Sequence, residues 1–179
     1  MQPMTSASRA AIERAVSDFF GGKDVPPLSL VEWRSGPNQP VEIELVAASR
    51  QPVDVAIEYL TPPALKASPL FSRVARVNAG PLIYVSGIFG PSATTGAAQV
   101  EAIFDTLAAV LSETGSDFRH LAKATYYVSD EAARRALNDL RPRYFDPKRP
   151  PAASKAFVAG VGLEQRTVTL DMIAVPKAK

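Results

Sequence analysis

The side chains that most often act as nucleophiles or proton carriers are scarce in this chain. There is no cysteine, which excludes thiol nucleophiles, disulfides and thiolate zinc sites. The one histidine, His120, falls in a predicted turn, with no serine, cysteine or carboxylate at a recognisable triad spacing. Glu101 and Asp105 are four residues apart on the outer face of a predicted helix, where solvation explains them better than acid–base catalysis. We expect His120 to be a surface or capping residue.

Composition and charge exclude several classes of partner. The 179 residues include 20 basic and 18 acidic side chains, a formal charge of +2 that is too small to argue for nucleic-acid binding. No stretch of about 18 consecutive apolar residues occurs, and the start MQPMTSASRA does not resemble a signal peptide. No glycine-rich nucleotide loop and no metal-ligand spacing is present. We expect a cytoplasmic protein without cofactor or metal, and without a nucleic-acid or membrane partner.

The elements that would position a site are clearest in the second part of the chain. Two strands (71–77 and 82–87) read as a first hairpin, and a helix over 99–114 carries one apolar stripe. A buried strand (124–129), a helix ended by Pro142 (130–141) and a final hairpin (154–159 with 167–175) follow. The order β-β-α-β-α-β-β predicts an α+β domain whose mixed sheet carries its helices on one face.

The first part of the chain predicts a helix followed by a hairpin. Apolar residues recur at helical spacing over 5–20 and stop at Gly21 and Gly22, and strands are predicted at 28–33 and 41–47. Residues 49–68 are rich in proline and are interpreted as a linker, although VDVAIEYL within them leaves room for one strand.

An internal repeat relates the two ends of the chain. A shift of 125 residues places 5–32 on 130–157 without a gap, and pairs Ile12 with Leu137 and Phe20 with Phe145. The alternative is that any amphipathic helix followed by a hairpin would share this periodicity. If the repeat is real, residues 1–48 are the α-β-β end of an earlier copy of the domain.

Four segments within residues 69–175 carry a resemblance to a known family: PLFSRVARVNAGPLIYVSG, ETGSDFRHLAKATYYVSD, ALNDLRPRYF, and PPAAS with VTLDMIAV. In order and spacing they resemble the RidA (YjgF-type, endoribonuclease L-PSP) family of reactive-intermediate deaminases. The resemblance implies a chorismate-mutase-like fold over 69–179, a homotrimer, and a small-molecule site between subunits where imines and enamines are hydrolysed. Residues 1–48 would then be a half-copy of such a domain.

The residues that carry out the family's reaction are missing at the matching positions. The resemblance places the family's carboxylate-binding arginine at Ala153, its water-positioning glutamate at Thr169 and its opening tyrosine at Phe71. An alanine cannot hold a carboxylate, and a threonine is not a base near neutral pH. What remains is a candidate frame for binding, made of Phe71, Ser86, Gly87, Asn138, Arg141 and Ser154.

Two substitutes for the missing groups can be named. Arg141 or Arg143, one turn beyond Asn138, would be a relocated cation, although a solvated helix end explains them more simply. In the half-copy, Glu42 falls at the glutamate position and Leu28 at the arginine position. Exposed strand alternation explains Glu42 without catalysis.

Three functions therefore stay open. The first is a divergent member that binds a small polar or carboxylated metabolite in an inter-subunit cleft, with or without imine hydrolysis. The second is a non-catalytic oligomeric binding or scaffolding module. The third is a fragment of a tandem, chorismatase-like enzyme, which the linker sequence resembles weakly. A ribonuclease role is disfavoured by the near-neutral charge.

Overall fold

A computed structural model describes residues 6–23, 30–32, 55–78, 80–92 and 94–177. The described chain contains three helices, α1 (Ser6–Phe19), α2 (Gly96–Glu113) and α3 (Glu131–Tyr144). A short 3-10 helix, Phe118–His120, precedes the central strand. The strands are β1 (Ile57–Leu60), β2 (Val74–Val77), β3 (Ile83–Ser86), β4 (Leu121–Val128), β5 (Ala152–Phe157) and β6 (Val168–Ala174).

The main sheet has the strand order β3-β6-β4-β5. β4 and β5 are parallel, whereas β6 is antiparallel to both β3 and β4, so the sheet is mixed. Both α2 and α3 pack on the face that carries the alternate residues Ala124, Tyr126 and Val128. From β2 onwards the element order is β-β-α-β-α-β-β, which confirms the predicted α+β architecture.

Both predicted hairpins are wrong in their pairing. β2 pairs with β1 rather than with β3, and β3 pairs with β6. β5 and β6 are separated by β4, which bonds to both of them. Alternating hydrophobicity identifies a strand and its buried face, but not its neighbour, because pairing depends on residues far away in sequence.

The predicted stripe of α2 forms the centre of the core. Thr95 caps the helix by accepting a hydrogen bond from the Ala98 N–H, and the helix ends before Gly115. Phe104 is fully buried and stacks on Tyr144 of α3 with ring centroids 4.6 Å apart. The buried side chains of the stripe are Val100, Ile103, Phe104, Leu107 and Leu111.

α3 continues past the proline that was expected to end it. Asp130 caps the helix by accepting from the Ala133 N–H, and Pro142 lies inside its last turn. The Phe145 N–H still donates to the Arg141 carbonyl, so the helical bonding closes beyond the proline. Packing of Leu137, Leu140 and Phe145 in the core outweighs the loss of one backbone donor.

β1 lies inside the stretch interpreted as a linker, where one strand had been allowed. It forms a two-stranded antiparallel ribbon with β2. An ion pair and hydrogen bonds join Arg76 and Asn78 to the Glu58 carboxylate. The ribbon packs through Ile57 against Ala122 and Val175, and so covers one end of the helix-free face of the sheet.

α1 differs from α3 in the burial of its apolar stripe. It ends at Phe19, and Gly21 and Gly22, the predicted stop, follow with positive φ. Ile12 is 38% exposed and Phe19 is 84% exposed, whereas their repeat counterparts in α3, Leu137 and Tyr144, pack in the core. The half-copy interpretation therefore stays a prediction, with an apolar face that the described residues leave open.

Residues 30–32 attach the amino-terminal segment to the domain. The Glu32 N–H donates to the Gly160 carbonyl at 2.7 Å, and the Ala159 N–H donates to the Glu32 carbonyl at 2.6 Å. Val31 packs with Val158 and Val161. The predicted strand 28–33 is thus described only at 30–32, and the predicted strand 41–47 lies outside the described residues.

Candidate functional site

A row of polar residues crosses the helix-free face of the sheet. Ser86 of β3 is opposite Asp171, Asp171 is opposite Thr125, and Thr125 is opposite Ser154. Residues opposite one another in neighbouring strands point to the same face. Lys123 lies two residues before Thr125, and its ammonium donates to the Thr125 and Ser154 hydroxyls at 2.8 and 3.1 Å.

The structure does not bring Ser86 and Ser154 together within one chain. β3 and β5 are the two ends of the four-stranded sheet, and three strand spacings separate them by roughly 14 Å. The Ser86 hydroxyl is buried and has no hydrogen-bond partner in the described part of the chain. Gly87 follows with φ 67°, so the backbone turns sharply as it leaves β3.

Phe71 lies beside the start of β5. Its neighbour Ser72 pairs with Ala152, and the Ser72 hydroxyl donates to the Pro150 carbonyl at 2.7 Å. The Arg73 guanidinium lies 4.9 Å from the centroid of the Phe71 ring. Phe71 therefore belongs to the β5 edge, together with Ser154.

Thr169 and Ala153 are the two positions at which the resemblance would place the family's catalytic pair. The Thr169 side chain is fully buried, and its hydroxyl donates to the Ile88 carbonyl at 3.0 Å. Ala153 packs against the core on the face that carries the helices. Neither position presents a charge or a base.

Asn138 and Lys155 meet on the other side of β5. The Lys155 ammonium donates to the Asn138 side-chain carbonyl at 2.8 Å. Lys155 is opposite Tyr126, on the helix-bearing face, and is two residues beyond Ala153 on the same strand. Burial, followed by the charges of Arg141 and Arg134, lowers the pKa of Lys155, while Glu131 opposes this shift.

Arg141 is buried, which contradicts the simpler expectation of a solvated helix end. Its side chain is on the side of α3 that faces the core, and the residue is only 6% exposed. The guanidinium carbon is 5.3 Å from the centroid of the Tyr126 ring, and burial raises the pKa of that tyrosine. The Arg141 Nε is buried without a hydrogen-bond partner among the described residues. Arg143, by contrast, is exposed.

His120 has a carboxylate partner that the spacing did not suggest. Its Nδ1 lies 2.6 Å from Asp117 Oδ1, three residues earlier, and Lys177 approaches the other Asp117 oxygen at 3.4 Å. Asp117 also caps the 3-10 helix by accepting from the Arg119 N–H. The cap is therefore Asp117, whereas His120, expected to be a surface or capping residue, is a partly exposed partner of that carboxylate. The turn brings residues i and i+3 together, which the linear spacing did not suggest. Glu101 and Asp105 are exposed, as expected.

The remaining candidates of the half-copy, metal sites and membrane spans complete the description. Glu42 and Leu28 lie outside the described residues. Within the described ranges, no group of three histidine, aspartate or glutamate side chains is arranged to hold a metal ion. No helix in that part of the chain is long and apolar enough to cross a bilayer.

Residues 61–175 match the family described as Endoribonuclease L-PSP. The chain belongs to this family. Protein DfrA of Myxococcus xanthus is 30% identical over 119 residues, which cover 63% of this chain and 89% of that protein. Its sheet and helices place the chain with the YjgF and Rid members, as the resemblance predicted.

Solved structures of family members share the fold. A Rid-family protein of Yersinia pestis, YyfB, aligns with a TM-score of 0.60 at 17% identity, covering 68% of this chain and 99% of its own. A YjgF-family protein of Neisseria meningitidis, NMB1025, aligns with a TM-score of 0.51 at 24% identity, covering 69% and 97%. At these identities the likeness concerns the fold alone.

Lys155 is the site residue that sequence reasoning missed. The signal was available, because residues two apart on a strand share a face, and Lys155 lies two residues after Ala153, where the resemblance would place the family's arginine. The contact with Asn138 required the tertiary structure, since it joins a helix to a strand seventeen residues away.

Proposed function

We propose that this chain is a divergent Endoribonuclease L-PSP family protein that binds a small polar, carboxylated metabolite in a cleft between subunits. The observation that carries the proposal is the placement of the candidate residues at opposite edges of the sheet. Ser86 and Gly87 mark the β3 edge, whereas Phe71, Asn138 and Ser154 mark the β5 edge. One ligand contacts both sets only if the β3 edge of one subunit faces the β5 edge of the next.

The same placement supports a ring of subunits, for which we propose a homotrimer. Contact between two different edges is heterologous, and a heterologous contact that closes on itself gives a cyclic oligomer. Light scattering should give three times the mass of the chain, and a monomer would contradict an inter-subunit site.

We also propose a cytoplasmic location.

We propose that imine hydrolysis by the family's usual route is absent. The Thr169 hydroxyl is engaged with a backbone carbonyl and is fully buried, and Ala153 carries no charge. Neither residue can therefore position the attacking water or the substrate carboxylate.

The test is ammonia release from a freshly generated 2-imino acid, measured beside calorimetric titration with the corresponding 2-oxo acid. We expect saturable binding of the 2-oxo acid and ammonia release at the uncatalysed rate. Faster release would contradict the loss of hydrolysis. Absence of binding by any small carboxylate would favour the scaffolding alternative instead.

A further inference from the structure

The cluster where α3 meets β5 contains more positive charge than it can balance. Arg141 is only 6% exposed. None of the ion pairs found in the described part of the chain includes its guanidinium. Its Nε donates no hydrogen bond there. A buried guanidinium without counter-charge is strongly unfavourable, so the arrangement calls for an anion.

The contact with Tyr126 does not resolve this imbalance. The guanidinium lies over the ring at 5.3 Å from its centroid, which is a cation–π geometry. Such a contact offsets less than the desolvation of a charged group, and it leaves the Arg141 Nε without an acceptor among the described residues. The Tyr126 hydroxyl is itself buried and without a hydrogen-bond partner among the described residues.

Lys155 adds a second cation beside Arg141. Its ammonium is held by the neutral Asn138 carbonyl at 2.8 Å and forms no ion pair in the described chain. The pKa of Lys155 is lowered by burial and then by the positive charges of Arg141 and Arg134. Lys155 is opposite Tyr126, and the Arg141 guanidinium lies over the Tyr126 ring, so one shared anion would balance both positive charges.

Glu131, the carboxylate whose charge acts on Lys155, is already engaged elsewhere. The Glu131 carboxylate accepts two hydrogen bonds from Arg134, one of them from Arg134 Nε at 2.6 Å. Arg135 Nε lies 3.9 Å from the same carboxylate. The group of Arg134, Arg141 and Lys155 carries three positive charges, and Glu131 balances one of them. A net excess of about two positive charges is left. Lys155 and Asn138 are only half-buried, so the cluster opens to solvent at the edge strand.

We propose that Arg141, Lys155 and Asn138 form a binding site for a small oxyanion, a carboxylate or a phosphate, at the junction of α3 and β5. The site rests on the proposed function, because Asn138 belongs to the cleft, and it assigns the anionic end of the metabolite. Arg141 supplies planar N–H donors, Lys155 supplies a mobile charge, and Asn138 fixes the position of the lysine.

The experiment titrates the full chain with sodium acetate and with sodium phosphate, each against sodium chloride at equal ionic strength. Heat and melting temperature are both recorded. The variants are Arg141→Gln and Lys155→Gln, with Arg143→Gln as the matched control, because it removes the same charge from an exposed position of the same helix. We expect either variant of the site to weaken oxyanion binding by at least about tenfold, while the control stays within about twofold.

Each outcome decides the proposal. Tighter binding of acetate than of phosphate assigns a carboxylate, and the reverse order assigns a phosphate. Equal loss in Arg143→Gln, or no binding beyond chloride, overturns the site. Should Arg141→Gln fail to fold, Lys155→Gln gives the same answer. Measurable imine hydrolysis together with oxyanion binding lost in both site variants would contradict the proposed function and leave the oxyanion site standing.

Discussion

The Lys155 ammonium donates a 2.8 Å hydrogen bond to the Asn138 side-chain carbonyl, and so joins the edge strand β5 to α3. The lysine is on the same face of β5 as Ala153, the position at which the resemblance would place the family's arginine. A cation therefore lies two residues beyond that position on the same face.

Replacing the neutral partner of Lys155 by a carboxylate should test this corner directly. Asn138→Asp keeps the shape and should raise stability by about 1 kcal/mol, because a charge-assisted bond is stronger than a neutral one. The same change should abolish stabilisation by added oxyanions, since the anion would then be built in. Chemical denaturation with and without phosphate measures both effects. Arg143→Gln lowers the net charge equally and should do neither.

The buried Thr169 hydroxyl should be replaceable by an apolar group more easily than by the family's glutamate. Thr169→Val loses one hydrogen bond to the Ile88 carbonyl, at a cost of about 1 kcal/mol. Thr169→Glu places a carboxylate at a fully buried position and should cost at least about 2 kcal/mol more. Urea unfolding compares the two variants. Equal stability of the valine and glutamate variants would show that the site admits a charge.

The ribbon of β1 and β2 should weaken in acid. A hydrogen bond from Asn78, and then the hydrogen bond and charge of Arg76, hold the pKa of Glu58 below its ordinary value of 4.5. The carboxylate therefore stabilises the fold above pH 4.5, and this contribution is lost as the pH falls through the lowered pKa.

Urea midpoints of the wild type and Glu58→Gln should therefore differ near pH 7 and converge below the lowered pKa. Glu113→Gln, at the exposed end of α2, is the control and should track the wild type at every pH. A Glu58→Gln difference that persists unchanged in strong acid would argue against the ion pair.

The attachment of residues 30–32 should depend on Gly162. This glycine has φ 79°, and a Cβ there would lie 2.5 Å from the Leu30 carbonyl oxygen. Gly162→Ala should therefore displace residues 30–32 and increase protease cleavage within that segment. Gly115→Ala has a similar φ of 76° with no atom within 4 Å of its Cβ, so it carries the strain without the clash. Limited proteolysis with mass spectrometry distinguishes them; equal cleavage would contradict the contact.

Local pattern determined most of the elements and the side-chain chemistry at the candidate positions. The stripe of α2 and the buried strand β4 followed from periodicity, since the repeat of apolar residues reports which face of an element is covered. Ala153 and Thr169 could be identified by matching positions along the chain, and their side chains exclude a carboxylate-binding cation and a base without any coordinates.

Tertiary structure decided which elements are neighbours and which charges are buried. The order β3-β6-β4-β5 overturned both predicted hairpins, because strand pairing is a contact between distant residues. Arg141 was expected in solvent, but it is buried on the side of α3 that faces the core. Lys155 is recognised as part of the candidate site only by its hydrogen bond to Asn138. A sequence states that these side chains are charged; whether water or protein surrounds them depends on how helix and sheet pack.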